Sequence, residues 1–309
     1  MTSIPLSYSA RQIESHLPRW LTILAISAFL AACGGVPKLD PSASSTDKGL
    51  ALFEATTAAH GKEAFADIKD LSIAYDSRWY DLIQRIQPIL TDGKFRQGSE
   101  ERLIVEEGIT AQLHTGEAGK KFVLRQRDYA SSEVNGTTQV WFNGDQASDS
   151  VVIDSASLVV DAYRVFIFGP LHYLAGKHVF RDAGTTWIND RLVDKLLIIT
   201  RPGLGESVED RHLLYIDRET KLTTRIRFTL EGLESTKGAV VETDFSDFIS
   251  MHGVMWPTTF FERVTKPIPN LPAHAWSLLG LDINRGLSTE DFQDGKFSES
   301  AKRPAKRLP

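Results

Sequence analysis

The chain has 309 residues, 42% hydrophobic and 24% charged, with 35 basic against 40 acidic side chains and a net charge of −5. That composition suits a globular protein with a substantial core, and it offers no global basic field to attract nucleic acid. One cysteine, Cys33, excludes an internal disulfide and a thiolate metal cluster.

The first element in chain order is a targeting segment. Arg11 and Arg19 precede or open the apolar run Trp20 to Ala32, WLTILAISAFLAA. Its length matches a signal-peptide core and falls short of the ~20 residues a membrane-spanning helix needs. The run ends in LAAC, Leu30 to Cys33, which resembles the lipobox of bacterial lipoproteins. The resemblance implies that residues 1–32 are a cleaved lipoprotein signal peptide. It also implies that the Cys33 thiol receives a diacylglycerol and that the new amino terminus is acylated. Stable anchoring needs two hydrophobic signals, which such a residue carries. Gly34, rather than Asp, follows the cysteine. By the sorting rule of such lipoproteins this favours the periplasmic face of a Gram-negative outer membrane. Residues 33–48, rich in Gly, Pro, Ser and Asp, read as the lipidated cysteine and a flexible tether.

A helix is expected from Leu50 to His60, with Leu50, Phe53 and Thr57 on one side and Gly61 ending it in a left-handed conformation. Ala64, Phe65 and Ile68 suggest a further short turn. The period then switches to two, and Leu71, Ile73, Tyr75 and Trp79 share a strand face. Arg102–His114 and Lys121–Tyr129 read as strands. Asn143-Gly144, Asn189-Asp190 and Asp217–Lys221 read as hairpin turns. After the last turn, Leu222, Ile226, Phe228 and Leu230 fall on one face, and Thr223, Arg225, Arg227 and Thr229 on the other. Two more strands join at His252-Gly253, and Pro257 marks an edge or a bulge. Ser155–Gly176 interrupts the strands with the helical stripe Leu158, Val159, Tyr163, Phe166 and Ile167. It is capped at Ser155 or Ser157 and broken at Gly169-Pro170, with a second short helix holding Leu171 and Leu174. About ten strands with two or three helices suggest one mainly β domain, a curved antiparallel sheet wrapped around its helices.

Three stretches carry a further resemblance: AAHGKEAFADIKDLSIAY, LLYIDRETKLTTRIRFT and DFSDFISMHGVMWPTTFFE. They resemble the LolA/LolB-like superfamily, outer membrane lipoprotein-sorting proteins among them, and AHAWSLLGLDINRGLSTEDF is similar to that family's last strand. The resemblance implies an open antiparallel β half-barrel enclosing a helical lid, over residues 49–293, whose concave face holds acyl chains. The protruding apolar loop of LolB is not identified here, so generic binding of a lipid or lipoprotein acyl chain is the expectation. Residues 294–309, with Lys296, Lys302, Arg303, Lys306 and Arg307, read as a disordered basic tail.

Candidate cavity-lining residues are Leu71, Ile73, Tyr75, Trp141, Leu158, Phe166, Ile226, Phe228, Trp256 and Phe260. No HExxH, P-loop, GxGxxG or nucleophile elbow occurs, and no two histidines stand at HxxxH spacing, so no metal, cofactor or catalytic residue is expected. Two other readings remain at this stage. One is an interaction lipoprotein with a filled interior and no ligand. The other is an envelope hydrolase with a nucleophile beside a base.

Overall fold

The computed structural model describes residues 35–38, 40 and 42–308. The expected signal peptide and Cys33 lie outside the described residues. Helix α1, Asp47–Ala59, is capped by the Thr46 side chain, which accepts from Gly49 N at 3.1 Å. It stops where expected. Gly61 has φ of 87°, and a Cβ there would stand 2.1 Å from the Gly253 carbonyl oxygen. No other residue fits that approach without moving the backbone. The expected short turn is α2, Lys62–Phe65. The buried side of α1 differs from the one its spacing suggests. Leu50 is 46% exposed, whereas Gly49, Thr56 and Thr57 are buried and Phe53 stacks on Phe180 at 4.2 Å. The helix backbone meets the Phe180 carbonyl at Gly49, and that contact sets which side turns inward.

The first half of the sheet contains β1 (Asp70–Trp79), β2 (Gly98–Ile104), β3 (Ile109–Gly116), β4 (Gly119–Gln126), β5 (Thr137–Phe142) and β6 (Asp145–Gln146). Two short helices, α3 (Asp81–Ile86) and α4 (Pro88–Thr91), separate β1 from β2. The run Arg102–His114, expected to be β, is a hairpin, because Gly108 turns the chain at φ 63° between β2 and β3. Helix α5, Ser150–Phe168, follows, and a 3-10 turn spans Gly169–Leu174. The helix starts before Ser155. Asp149 is its cap, accepting from the Val151 and Val152 amides, so neither Ser155 nor Ser157 caps it.

The second half comprises β7 (His178–Ile188), β8 (Arg191–Thr200), β9 (Asp210–Asp217), β10 (Thr223–Leu230), β11 (Ala239–Ser246), β12 (Ile249–Met251), β13 (Val254–Trp256), β14 (Thr259–Lys266) and β15 (Leu271–Ile283). Both Asn143-Gly144 and Asn189-Asp190 have positive φ at their two positions, the geometry a two-residue hairpin requires. Among the described residues the strands form one 13-stranded antiparallel sheet, in the order β6-β5-β4-β3-β2-β1-β15-β14-β11-β10-β9-β8-β7, plus the small hairpin β12-β13. The chain therefore builds outward from β1 to one edge. It crosses through α5 to the other edge and returns until β15 pairs with β1. The edge strands β6 and β7 do not pair, so the sheet stays open.

A bulge near Thr224 changes the expected alternation in β10. Thr223 joins the inner side, where its hydroxyl lies 3.0 Å from that of Thr56 and its amide donates to His60 Nε2 at 3.0 Å. His60 is thus a structural histidine, held neutral down to about 4 by burial.

Helix α5 fills the curve of the sheet. Most of it is buried, and Leu158, Phe166, Ile167 and Phe168 join one continuous core with residues of both sheet halves. Asp161 fixes its position. Its carboxylate accepts from Arg125 Nε (3.1 Å) and Nη2 (3.0 Å), Arg127 Nη1 (2.5 Å), Tyr129 Oη (2.8 Å) and Gly205 N (2.9 Å). Burial alone would push this carboxyl up, but the Arg125 and Arg127 charges outweigh it and hold the group below the usual range.

The C-terminal segment, expected to be disordered, is ordered and packed. Phe292, Phe297 and Ala301 are buried on the convex face against Ile104, Ile109, Phe122 and Trp141. The fully buried Arg102 donates to Ala301 O at 2.9 Å and to Arg303 O at 3.2 Å. The outer side of β2–β5 carries an apolar patch of Ile104, Ile109, Ala111, Phe122 and Trp141, and burying it helps hold the segment. The expected tether is also partly docked. Val36 is buried against Val193, Leu213 and Tyr215, and Ser45 Oγ accepts from Phe180 N at 3.0 Å. No helix among the described residues is long and apolar enough to cross a membrane.

Candidate functional site

Two strand pairings set up the interior of the half-barrel. Trp79 faces His274 across β1-β15, and Phe260 faces Trp276 across β14-β15. Residues directly opposite each other present side chains on the same face. The result is a continuous stack with ring centroids 3.9, 4.5 and 4.8 Å apart, in the order Trp79, His274, Trp276, Phe260. Both nitrogens of His274 lack a hydrogen-bond partner, and burial keeps the ring neutral, well below the usual histidine range.

Beside this stack the packing leaves a cavity of about 350 Å³ between helices α3–α5 and strands β10, β11, β14 and β15. Ligand pockets usually start at about 300 Å³. Its walls are mainly apolar: Trp79, Ile83 and Leu90 on one side, Leu158, Ala162, Tyr163 and Phe166 of α5 beneath, and Phe228, Val241 and Val264 on the sheet. Two wall residues, Ile86 and Ile268, are 48% and 45% exposed, so apolar surface continues into solvent. The Gln87 amide ties α3–α4 to the loop after β10, donating to Ser235 O at 3.0 Å and accepting from Ser235 Oγ at 3.2 Å. The wall also carries a carboxyl, that of Glu262, the partner of His274 across β14-β15. Burial pushes its carboxyl up to about 7, with Arg96 opposing.

Leu71, Ile73, Tyr75, Leu158, Phe166, Ile226, Phe228, Trp256 and Phe260 all fall in one buried cluster. Of these, Leu158, Phe166 and Phe228 line the cavity, and the other six pack into solid core. Trp141 is excluded from the interior. Val140 takes the inward position in β5, so Trp141 points to the convex face, onto Phe122 and under the C-terminal segment. Helices α3–α4 supply much of the wall and were missed. Their cue is the spacing of Ile83, Ile86 and Leu90, three and then four residues apart.

Beyond the stack, β2 and β3 bring polar side chains inward. Glu101 is 1% exposed, hydrogen-bonded by Tyr75 and Gln112, and pushed up to about 7 by burial. Arg96 is 4% exposed, and its Nε and Nη1 have no hydrogen-bond partner. Ser99 Oγ lies 2.7 Å from His114 Nδ1, whose Nε2 is 3.3 Å from the Gln112 side-chain oxygen. The serine–histidine pair is buried and lines neither of the cavities described here. Among the described residues no three His, Cys, Asp or Glu side chains group as a metal site.

Glu101 makes a pH prediction. Folded, it keeps its proton to about pH 7. Unfolded, it releases it near 4.5. The folded state therefore holds the extra proton in that window, and this contribution to stability falls as pH rises, by at most about 1.4 kcal/mol per pH unit. Buried neutral histidines such as His60 and His212 act in the opposite sense. Glu101→Gln should therefore make the slope of stability against pH more positive between about pH 5 and 7. Urea titrations of both proteins across that range check it, and identical slopes would mean that Glu101 is ionised in the fold.

No protein family and no curated protein matches the sequence. Solved structures do. A DUF1329 family protein from Desulfovibrio piger superposes with a TM-score of 0.51 at 11% identity, over 80% of this chain and 98% of that one. A domain from Vibrio parahaemolyticus named for outer membrane lipoprotein sorting gives 0.48 at 14% identity, over 80% and 97%. A LolA superfamily protein from Nitrosomonas europaea gives 0.45 at 11% identity, over 79% and 97%. At these identities the likeness concerns the fold alone. The chain shares the fold of the Desulfovibrio piger protein, an open antiparallel β half-barrel around a long helix.

Proposed function

We propose that this protein is an envelope lipoprotein that holds an acyl chain of a lipid or lipoprotein in the cavity beside α5. The observation that carries the reading is an apolar cavity of about 350 Å³ whose lining continues into the exposed Ile86 and Ile268. Each methylene moved from water into such a space contributes about 0.8 kcal/mol, so an alkyl chain is a fitting occupant. In this reading Cys33, at the end of LAAC, is lipidated and anchors the domain to the outer membrane on its periplasmic face. The protein acts as a carrier or holder, not as an enzyme. The rival reading, a filled interior serving only protein contacts, draws on how much of the concave face α5 already occupies.

Native mass spectrometry tests the proposal. A Cys33→Ser protein, released without detergent from a bacterial periplasm, should carry a lipid adduct that denaturation removes. A clean apo mass, with no uptake of added fatty acid, would favour the filled interior.

A further inference from the structure

A second cavity, of about 640 Å³, lies apart from the first, among α2, the β2-β3 turn, the segment after β4 and the 3-10 turn after α5. Its wall contains Arg127 and Arg164, which are 4% and 6% exposed. Both guanidiniums gather at the Tyr129 ring, 5.3 and 4.3 Å from its centroid, and the His172 ring is 5.5 Å from it.

The charges around this ring do not balance. The carboxylate of Asp161 serves both Arg125 and Arg127, and Arg125 also has the half-exposed Glu206 at 3.5 Å. Among the described residues no carboxylate lies within salt-bridge distance of Arg164, although Asp161 and Glu101 attract it from farther off. Its Nη2 donates to Val105 O at 3.3 Å, its face covers Tyr129 and Phe168, and its Nη1 has no partner. Arg127 Nε and His172 Nδ1 are likewise without partners. These atoms are closed off from solvent, so what the wall presents is their charge. Burial and the neighbouring Arg164 keep His172 neutral. Lys62 and Lys69 add positive charge to the lining, and Lys62 is paired with Glu54 at 2.9 Å. Two acids oppose them. Glu106 is exposed, and Asp128 turns to its own loop, accepting from Ala130 N at 2.9 Å. Leaving a buried cation without an anion is costly, and the space beside it is open.

We propose that this second cavity binds a phosphate group. Arginine suits that partner because its guanidinium stays charged at any working pH, so its buried positive charge attracts an anion in the open space beside it. The space greatly exceeds one phosphate, and Phe65, Ile68, Phe168 and Leu171 give it an apolar side. A phosphate carried on a glycerolipid headgroup therefore uses both surfaces, whereas free phosphate uses only the basic one. The site is separate from the acyl-chain cavity and does not depend on that reading.

Calorimetric titration of the full chain in phosphate-free buffer tests the inference, with three probes: inorganic phosphate, dihexanoyl phosphatidylglycerol and dihexanoylglycerol. Saturable binding of the phosphatidylglycerol, at least tenfold tighter than the phosphate-free lipid, is expected. So is a loss of at least tenfold in Arg164→Gln. Inorganic phosphate binding as tightly as the lipid would support the site with free phosphate as its ligand. Equal binding of the two lipids, no binding of either phosphate probe, or wild-type affinity in Arg164→Gln would overturn it. Lys69→Glu, exposed in the cavity lining, decides the matter should Arg164→Gln fail to fold: the site requires weaker phosphate binding there, and undiminished affinity overturns it.

Discussion

Asp161→Ala should cost about 3–5 kcal/mol of stability or prevent folding outright, the usual result of removing one partner from a buried ion pair. The carboxylate sits at 0% exposure and is the only anion shared by Arg125 and Arg127. Removing it leaves the buried Arg127 without its carboxylate and Arg125 with only the more distant Glu206, and it also strips the hydrogen bonds of Tyr129 and Gly205. The loss is mechanical as well as electrostatic. Arg125 and Arg127 flank the end of β4, Gly205 lies in the β8-β9 loop, and Asp161 is mid-way along α5. One side chain thus ties the helix to both halves of the sheet. Urea denaturation measures the effect. A loss below about 1 kcal/mol, the value of an exposed pair, would mean that water reaches the network.

Ala162→Phe should abolish acyl-chain uptake, by at least tenfold, while leaving the fold intact. Ala162 is 8% exposed and lies on the α5 surface that floors the first cavity. A phenyl ring there occupies the space a ligand would take, and it gains contacts instead of colliding with side chains. The two readings of the interior part company on stability. In a filled core the larger side chain overpacks and costs about 1–3 kcal/mol. Over an apolar cavity it is neutral or stabilising. Thermal unfolding and fatty-acid titration of the same variant therefore answer together. Lost uptake at unchanged melting temperature supports the cavity. Unchanged uptake with a lowered melting temperature places the ligand, if any, elsewhere.

Much of this architecture is legible without coordinates because its signals are local. Gly61 ends a helix because it accepts a φ of 87°, and Asn143-Gly144 and Asn189-Asp190 turn hairpins because they too accept positive φ. Apolar alternation marks β1 and β10, and Gly169-Pro170 ends α5. These features depend on a residue and its near neighbours. The LAAC segment is likewise a pattern confined to neighbouring residues.

What the sequence left undecided depends on partners distant along the chain. Alternation says that Val140 and Trp141 lie on opposite faces of β5, but not which face is inner. The choice was made by Phe297 and Ala301, far along the chain, which cover the convex side and take Trp141 with it. The basic C-terminal segment looks disordered by composition, yet Arg102, buried some two hundred positions earlier, holds its carbonyls. Nor can apolar spacing separate a cavity wall from solid core, since both require the same side chains facing inward. Phe166 borders empty space and Trp256 does not because the first lies in the wall shared by α3, α4 and the sheet, and the second beside β13 where α2 packs. Charge balance is equally non-local. Only when α5 brought Arg164 beside Tyr129, with Asp161 already committed to two other arginines, did an uncompensated buried cation arise. The sequence by itself determined the elements, their turns and the half-barrel class. The tertiary structure alone decided which apolar residues face a void and which charges lack a partner, because both depend on how distant segments fill space around a single helix.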